Sequence, residues 1–180
     1  MKAIFLDRDG VINKYPGDTK YVSSLKEFRF LPRVKKALAL LNKNGYSVFV
    51  VSNQAGVGKK LYSQKTLDSI TKHMCRQIER SGGKITKVYY CTHRQENNCL
   101  CRKPKIGMLN QAKKEYRLNL SKAFFVGDTI RDVITAKSAG CPSILIFSGK
   151  EKKINKPNWE AEPDHWFKDL YSAVNYILKR

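Results

Sequence analysis

Short apolar runs alternate with amphipathic stretches along the 180-residue chain, and this alternation is the feature that most restricts its fold. Strands buried on both faces read as continuous apolar runs, and such strands belong to parallel sheets that are covered by helices. The sequence predicts five strands of this kind: KAIFLD (2–7), YSVFVVSN (46–53), KVYYC (87–91), AFFVGD (123–128) and PSILIF (142–147).

The stretches between and after these runs carry helix signals. Pro32 and Ser63 are typical of helix starts, and Gly45 is typical of a helix end. Helices are predicted over residues 32–45, 63–82, 108–116, 131–140 and 169–179. We therefore expect a Rossmann-like α/β fold, in which a parallel sheet has helices on both faces and no large cap domain, as a single domain over residues 1–180.

Polar residues follow four of the predicted strands at the point where each strand ends. These residues are Asp7, Asp9, Ser52, Asn53, Cys91 and Asp128. The carboxyl ends of parallel strands meet at one edge of a sheet, and the chemistry of such folds collects there. That edge is the predicted active site.

The motif DRDG at residues 7–10 places two carboxylates two positions apart, directly after the first strand. One interpretation is an Asx-type turn or a cap. The other is a nucleophile, Asp7, with an acid/base, Asp9, acting on a phosphate monoester. A carboxylate is a weak nucleophile, so such chemistry needs a divalent cation, and Mg²⁺ prefers the oxygen ligands on offer.

The motif VGDTIRD at residues 126–132 supplies a further acidic ligand, Asp128, at another strand end. Asp132 follows Thr129 in a Thr-x-x-Asp pattern, which favours a helix start or a supporting role over direct metal binding. The stretch SNQAGVGKK at 52–60 lacks the glycine and hydroxyl positions of a P-loop, but turn amides after Ser52 could still bind phosphate.

Three cysteines and a histidine crowd into the stretch CTHRQENNCLCRKPK at 91–105. Cys91, His93, Cys99 and Cys101 form a complete tetrahedral set of the structural zinc type, with free thiols as the alternative. Bound zinc would restrict a long polar loop and fix the two cations that follow its last ligand, Arg102 and Lys103.

Charge and cysteine content bear on partners and location. Lys and Arg number 35 against 15 Asp and Glu, which gives a net charge of +20. Both a polyanionic partner and a lysine-rich solvated surface fit this charge. The five cysteines do not resemble a secreted disulfide framework, and charged residues interrupt the N-terminal apolar run early. We expect a cytoplasmic protein that does not associate with membranes.

In these motifs the chain resembles the haloacid dehalogenase superfamily of phosphatases. LDRDGVIN, VSNQAG and VGDTIRD match its first, second and fourth motifs, and Lys103 is the candidate for its third. The resemblance implies that Asp7 attacks phosphorus and that Asp9 protonates the leaving oxygen and later activates water. It also implies that Ser52 and Lys103 stabilise the phosphoryl group. Mg²⁺ would bind the Asp7 and Asp128 side chains and the Asp9 carbonyl.

The CxH…CxCRKP loop in a chain without a cap insertion resembles the bacterial D-glycero-D-manno-heptose 1,7-bisphosphate 7-phosphatases of lipopolysaccharide precursor synthesis. This resemblance implies a small phosphorylated sugar as substrate, no nucleic-acid partner, and a monomer. The predicted substrate contacts are Asp18, Tyr21, Asn53, Gln54, Ala55, Arg102, Lys103 and Thr129.

Two departures from that family pattern concern the expected substrate contacts. The chain has Gly58-Lys59-Lys60 after its second motif, and its loop from Asn13 to Tyr21 is slightly longer. Three other interpretations remain: a histidinol-phosphate phosphatase, a polynucleotide 3′-phosphatase, and a non-catalytic, zinc-stabilised nucleic-acid-binding module. The last of these leaves the three acidic residues at the strand ends without a role.

Overall fold

A computed structural model describes residues 1–180. It contains one sheet of six parallel strands in the order β3-β2-β1-β4-β5-β6. The strands are β1 (Lys2–Leu6), β2 (Tyr46–Asn53), β3 (Lys87–Cys91), β4 (Phe124–Gly127), β5 (Ser143–Ile146) and β6 (His165–Phe167). The predicted parallel sheet is confirmed, and all five predicted strands are present.

Five α-helices surround the sheet: α1 (Val34–Lys43), α2 (Gln64–Glu79), α3 (Gly107–Tyr116), α4 (Ile130–Ser138) and α5 (Leu170–Ile177). The predicted cap of α2 is confirmed, because the Ser63 hydroxyl accepts a hydrogen bond from the Thr66 amide at 3.1 Å. Helix α1 begins at Val34, two residues later than predicted from Pro32. None of these helices combines the length and apolar character needed to cross a membrane.

Helices cover both faces of the sheet, as the apolar strands require. Side chains of α1, α2 and α5 pack on one face against Ile4, Leu6 and Val50. On the other face, α3 and α4 pack against Phe5, whose ring lies 5.4 Å from that of Phe49 and 6.3 Å from that of Phe125. Alternate residues of β1 thus pack into the cores on opposite faces of the sheet. This alternation fixes which residues of the strand face each core.

Strand β6 was not predicted. It has only three residues, His-Trp-Phe, and none of them is fully buried, so no apolar run marks it. It pairs with β5 at the edge of the sheet, and the ring of His165 packs on Tyr176 with its Nε2 atom 2.8 Å from the tyrosine hydroxyl. His165 is therefore part of the packing of α5 on the sheet.

The strand order brings the predicted site together. β1 lies at the centre, between β2 and β4, so Asp7, Ser52 and Asp128 leave three adjacent strands at the same edge. β3 lies beyond β2, which places Cys91 and its loop beside this group. A cleft of about 950 Å³ opens over these strand ends.

Candidate active site

The cleft contains all four residues predicted to be catalytic: Asp7, Asp9, Ser52 and Lys103. Asp128 and Arg102 also line it. Its walls are the loop of residues 15–21 on one side and residues 150–160 on another. Residues from six separate parts of the chain thus meet in one polar depression.

Asp7 lies on the floor of the cleft beside a buried lysine. Its Oδ2 atom is 3.0 Å from the Lys103 ammonium, and its Oδ1 atom accepts a hydrogen bond from the Arg8 amide at 2.7 Å. Burial raises the pKa of Asp7, although the positive charge of Lys103 opposes the shift. The carboxylate is oriented from both sides, and 14% of its side chain remains exposed in the cleft.

Lys103 is shared between two carboxylates. Its ammonium is 2.6 Å from Asp132 and 3.0 Å from Asp7, and its side chain is only 2% exposed. Burial lowers the pKa of Lys103, but the charges of Asp132 and Asp7 outweigh it and raise the pKa above its ordinary value. Asp132 also accepts hydrogen bonds from the Thr129 amide and hydroxyl, so the predicted capping box is confirmed.

Asp128 is nearly inaccessible to solvent and lies under two glycines. A Cβ atom at Gly10 or at Gly149 would lie 2.0 Å from its Oδ2 atom, so only glycine fits at either position. The Lys150 amide donates to the same oxygen at 2.8 Å. Burial raises the pKa of Asp128 well above its ordinary value, and the charges of Asp132 and Asp7 raise it further.

These residues fit a divalent metal ion. Carboxylate oxygens of Asp7, Asp128 and Asp132 all lie within 4.8 Å of one another. Lys103 balances one of the three negative charges, and a cation with two positive charges would balance the others. The backbone carbonyl of Asp9 accepts no backbone hydrogen bond, so its oxygen is also free. Oxygen ligands of this kind are those that Mg²⁺ prefers.

The Asp9 side chain is not part of that carboxylate cluster and is held by three neighbours. The guanidinium of Arg8 binds both of its oxygens at 3.0–3.1 Å. Asn13 donates to Oδ1 at 2.8 Å, and Gln54 donates to Oδ2 at 2.9 Å. Gln54 is fully buried and does not line the cleft, so its side chain supports Asp9 instead of making the predicted substrate contact.

Three further residues that were predicted to contact the substrate lie in the lining of the cleft. Asn53 lines the cleft, but both polar atoms of its side chain bind the backbone of Lys103, at 3.0 and 3.1 Å. Ala55 is buried and contributes a small wall residue. Thr129 lines the cleft while its hydroxyl donates to Asp132. Asn53 therefore holds the segment that carries Lys103.

The rim of the cleft is rich in cations and aromatic rings. Asp18 is largely exposed and pairs with Lys150 at 2.7 Å, which joins two loops across the mouth. The Lys59 ammonium lies 5.8 Å from the centroid of the Tyr21 ring. Arg102 is half-buried, and its Nη1 atom is buried without a hydrogen-bond partner. A buried guanidinium nitrogen without a partner is the kind of donor that an anionic ligand would satisfy.

The four predicted zinc ligands meet at one point. The sulfur atoms of Cys91, Cys99 and Cys101 are 3.3–3.5 Å apart, and His93 Nδ1 is 3.2 Å from the Cys101 sulfur. Sulfur ligands in a tetrahedral zinc site are separated by about 3.8 Å, so the cluster is compatible with zinc. Burial raises the pKa of Cys99, but hydrogen bonds from Cys101 and the Arg102 amide lower it to about 6.

The cysteine loop is joined directly to the floor of the cleft. The Cys91 carbonyl accepts from the Gln54 amide at 2.7 Å, and the Thr92 carbonyl accepts from the Gly58 amide at 3.1 Å. From Cys101 the chain passes through Arg102 into Lys103, which Asn53 holds. The position of the cluster therefore determines where these two cations lie.

Several residues of the site were not identified from the sequence. Arg8 and Asn13 were overlooked although both lie within LDRDGVIN, where a cation between two acids signals an internal ion pair. The pairing of Lys103 with Asp132 was also missed, because its partners are 29 residues apart. Lys150 and Trp159 line the cleft from a polar loop that carries no motif.

Known proteins are similar to this chain over most of its length. The family model described as polynucleotide kinase 3 phosphatase matches residues 2–168. A D-glycero-beta-D-manno-heptose-1,7-bisphosphate 7-phosphatase of Neisseria meningitidis is 34% identical, over 99% of this chain and 96% of its own. A D-glycero-alpha-D-manno-heptose-1,7-bisphosphate 7-phosphatase of Campylobacter jejuni is 30% identical, over 99% and 97%.

Among solved structures, a D,D-heptose 1,7-bisphosphate phosphatase from B. bronchiseptica, in complex with magnesium and phosphate, superposes with a TM-score of 0.93. It is 32% identical, and the match covers 99% of each chain. The chain thus belongs to the polynucleotide kinase 3 phosphatase family, and its full-length relatives place it among the heptose-bisphosphate phosphatases of the haloacid dehalogenase superfamily, which are phosphoric monoester hydrolases.

Proposed function

We propose that this enzyme removes the 7-phosphate of D-glycero-D-manno-heptose 1,7-bisphosphate, in the synthesis of ADP-heptose and lipopolysaccharide core precursors. The observation that carries the proposal is the pair of neighbouring cations Arg102 and Lys103. Lys103 is buried against the nucleophile Asp7, whereas Arg102 lines the same cleft with a guanidinium group that has no partner. A substrate with two phosphates would use both. The names and full-length similarity of the relatives support this choice.

The first chemical step is an in-line attack on phosphorus by a carboxylate oxygen of Asp7. The new P–O bond creates an aspartyl-phosphate, and the bond from phosphorus to the sugar oxygen breaks. Asp9, in its protonated form, gives its proton to that sugar oxygen, which leaves as an alcohol. Asp9 is then a carboxylate, ready for the second step.

In the second step Asp9 takes a proton from water. The resulting hydroxide attacks phosphorus, the bond to Asp7 breaks, and inorganic phosphate leaves. Asp7 is regenerated as a carboxylate and Asp9 as an acid. Ser52 and Lys103 hold the transferred phosphoryl oxygens throughout, and their burial keeps water from competing for those bonds.

The Asp7 and Asp128 side chains and the Asp9 carbonyl would hold Mg²⁺. The ion would supply positive charge beside the phosphoryl oxygens when bound. The complex of the B. bronchiseptica relative with magnesium and phosphate supports this assignment. Zinc at Cys91, His93, Cys99 and Cys101 would be structural, because the four protein ligands leave no open position for water.

We further propose a cytoplasmic monomer. Three closely spaced thiols stay reduced in the cytoplasm and would be lost as metal ligands by oxidation elsewhere. A polynucleotide 3′-phosphatase is the second candidate function. The net charge of +20 and the name of the matching family favour it. It therefore belongs in the substrate panel.

The experiment that tests the proposal is a comparison of kcat/KM on four substrates with Mg²⁺ present. They are heptose 1,7-bisphosphate, heptose 7-phosphate, histidinol phosphate and a 3′-phosphorylated oligonucleotide. We expect the bisphosphate to have the highest value. Histidinol phosphate carries a cationic amine, which Arg102, Lys59 and Lys60 would repel. A higher value for histidinol phosphate or for the oligonucleotide would replace the proposal with that activity.

Replacing Arg102 with Ala should weaken the enzyme selectively. We expect kcat/KM for the bisphosphate to fall about 10–100-fold, since a charged hydrogen-bonded pair is lost, and kcat/KM for the monophosphate to change less than about threefold. Arg76→Ala is the matched control, because it removes one exposed charge from α2 outside the cleft. Equal losses on both substrates would show that Arg102 does not bind the remote phosphate.

A further inference from the structure

Arg8 is a wholly buried arginine between the two catalytic carboxylates, and the proposed mechanism gives it no task. Its side chain is 0% exposed, and its Nη1 atom has no hydrogen-bond partner. The guanidinium lies over the Tyr90 ring, 5.7 Å from its centroid. A buried charge with an unsatisfied donor costs free energy of folding. The position of Arg8 therefore needs an explanation other than stability.

The carboxylate of Asp9 is enclosed by what we call the Asp9 clamp, which consists of Arg8, Asn13 and Gln54. Oδ1 accepts from Arg8 Nε at 3.1 Å, from Arg8 Nη2 at 3.0 Å and from Asn13 at 2.8 Å. Oδ2 accepts from Arg8 Nη2 at 3.1 Å and from Gln54 at 2.9 Å. Because both oxygens are bound, the clamp fixes the rotation of the carboxylate as well as its position.

The clamp is itself held from behind. The Tyr62 hydroxyl donates to Gln54 Oε1 at 2.7 Å, which turns the Gln54 amide nitrogen toward Asp9. The Asn13 amide donates to the Arg8 carbonyl at 3.1 Å, so the turn after β1 closes on itself. Only the exposed part of Asp9, 18% of its side chain, is left to face the cleft.

We propose that Arg8 is a positioning residue that sets the direction from which Asp9 exchanges its proton. The inference rests on the proposed phosphatase function and on the role of Asp9 in it. Proton transfer to the leaving oxygen, and later from water, requires a carboxyl oxygen within hydrogen-bond reach in a defined orientation. The bidentate grip of Arg8 supplies that orientation, and Gln54 supports it from the other side.

The reactions that depend on Asp9 can be separated from those that depend on Asp7. An aryl phosphate such as p-nitrophenyl phosphate has a good leaving group, so its attack by Asp7 needs little acid assistance. An alkyl phosphate has a poor leaving group and needs the proton from Asp9. Water attack on the aspartyl-phosphate needs Asp9 for both substrates.

The test uses Arg8→Met in single turnovers with enzyme in excess and Mg²⁺ present. We expect nitrophenolate release to stay within about threefold of the wild type. Release of inorganic phosphate, and cleavage of the sugar phosphate itself, should both slow about 10–100-fold, a part of what general acid–base catalysis contributes. In an Asp9→Asn background, adding Arg8→Met should cost less than about twofold more, because the group it positions is already gone.

Gln54→Met removes the hydrogen bond from Gln54 to Asp9 without removing a buried charge. This variant replaces Arg8→Met in the test if Arg8→Met fails to fold. The same pattern at smaller size supports the inference. Equal slowing of nitrophenolate release and sugar-phosphate cleavage, or full additivity with Asp9→Asn, would overturn it, because Arg8 would then act on the whole site. If wild-type enzyme hydrolyses neither substrate, the proposed function fails, and the role of Arg8 fails with it.

Discussion

Replacing Asp7 with Asn is expected to lower kcat by at least about 10⁴-fold, as removal of an enzyme's nucleophile does. Asparagine has almost the same volume, but its amide cannot form the aspartyl-phosphate. The fold should persist, because Lys103 keeps its 2.6 Å pair with Asp132 when Asp7 is neutralised. Steady-state activity, thermal unfolding and intact-protein mass measurements after substrate addition check the three parts of this result.

Asp68→Asn is the matched control for this change. Asp68 is exposed on α2 and lies outside the cleft, so its neutralisation should leave kcat unchanged. A phosphoenzyme detected in the Asp7→Asn variant would remove Asp7 from the role of nucleophile. The motif and its position after β1 would then need a different explanation.

Zinc removal is expected to have the second-largest effect. Protein purified without chelator should contain about one zinc ion per chain, and Cys99→Ser should lose it, since a structural site requires its full ligand set. Residues 92–105 would then become sensitive to proteases. The activity should fall about 10–100-fold, as losses of supporting contacts around a site commonly do, because Arg102 and Lys103 lose their fixed positions.

Cys75→Ser serves as the control for the zinc experiment. Cys75 is a half-buried thiol on α2 outside the cluster, so its loss should affect neither zinc content nor activity. Absence of zinc from the purified protein, together with unchanged activity of Cys99→Ser, would contradict a structural zinc site.

Five of the six strands were predictable because each is a continuous apolar run, whereas the order of the strands in the sheet was not predicted. β3 begins and ends where the KVYYC run does, and β2 coincides with YSVFVVSN. β6 was not predicted, because its three residues are not fully buried and form no apolar run. Strand ends then locate Asp7, Ser52 and Asp128 without any knowledge of the loops.

Other parts of the site depend on contacts that sequence spacing does not encode. Lys103 could be proposed as a phosphate ligand, but its burial between Asp7 and Asp132 emerges only when β4 and the cysteine loop meet. Gln54 was expected to bind substrate on the basis of the family resemblance. The turn after β2 instead directs its side chain inward, where Tyr62 and Asp9 hold it.

The most direct test of the central claim is to follow the hydrolysis of D-glycero-D-manno-heptose 1,7-bisphosphate by ³¹P NMR with Mg²⁺ present. The enzyme should consume the 7-phosphate signal, release inorganic phosphate and leave the heptose 1-phosphate intact. A sample with excess chelator should show no reaction, and Asp7→Asn should show none within the same time. Loss of the 1-phosphate instead, or no reaction by an enzyme that dephosphorylates histidinol phosphate or a 3′-phosphorylated oligonucleotide, would contradict the account.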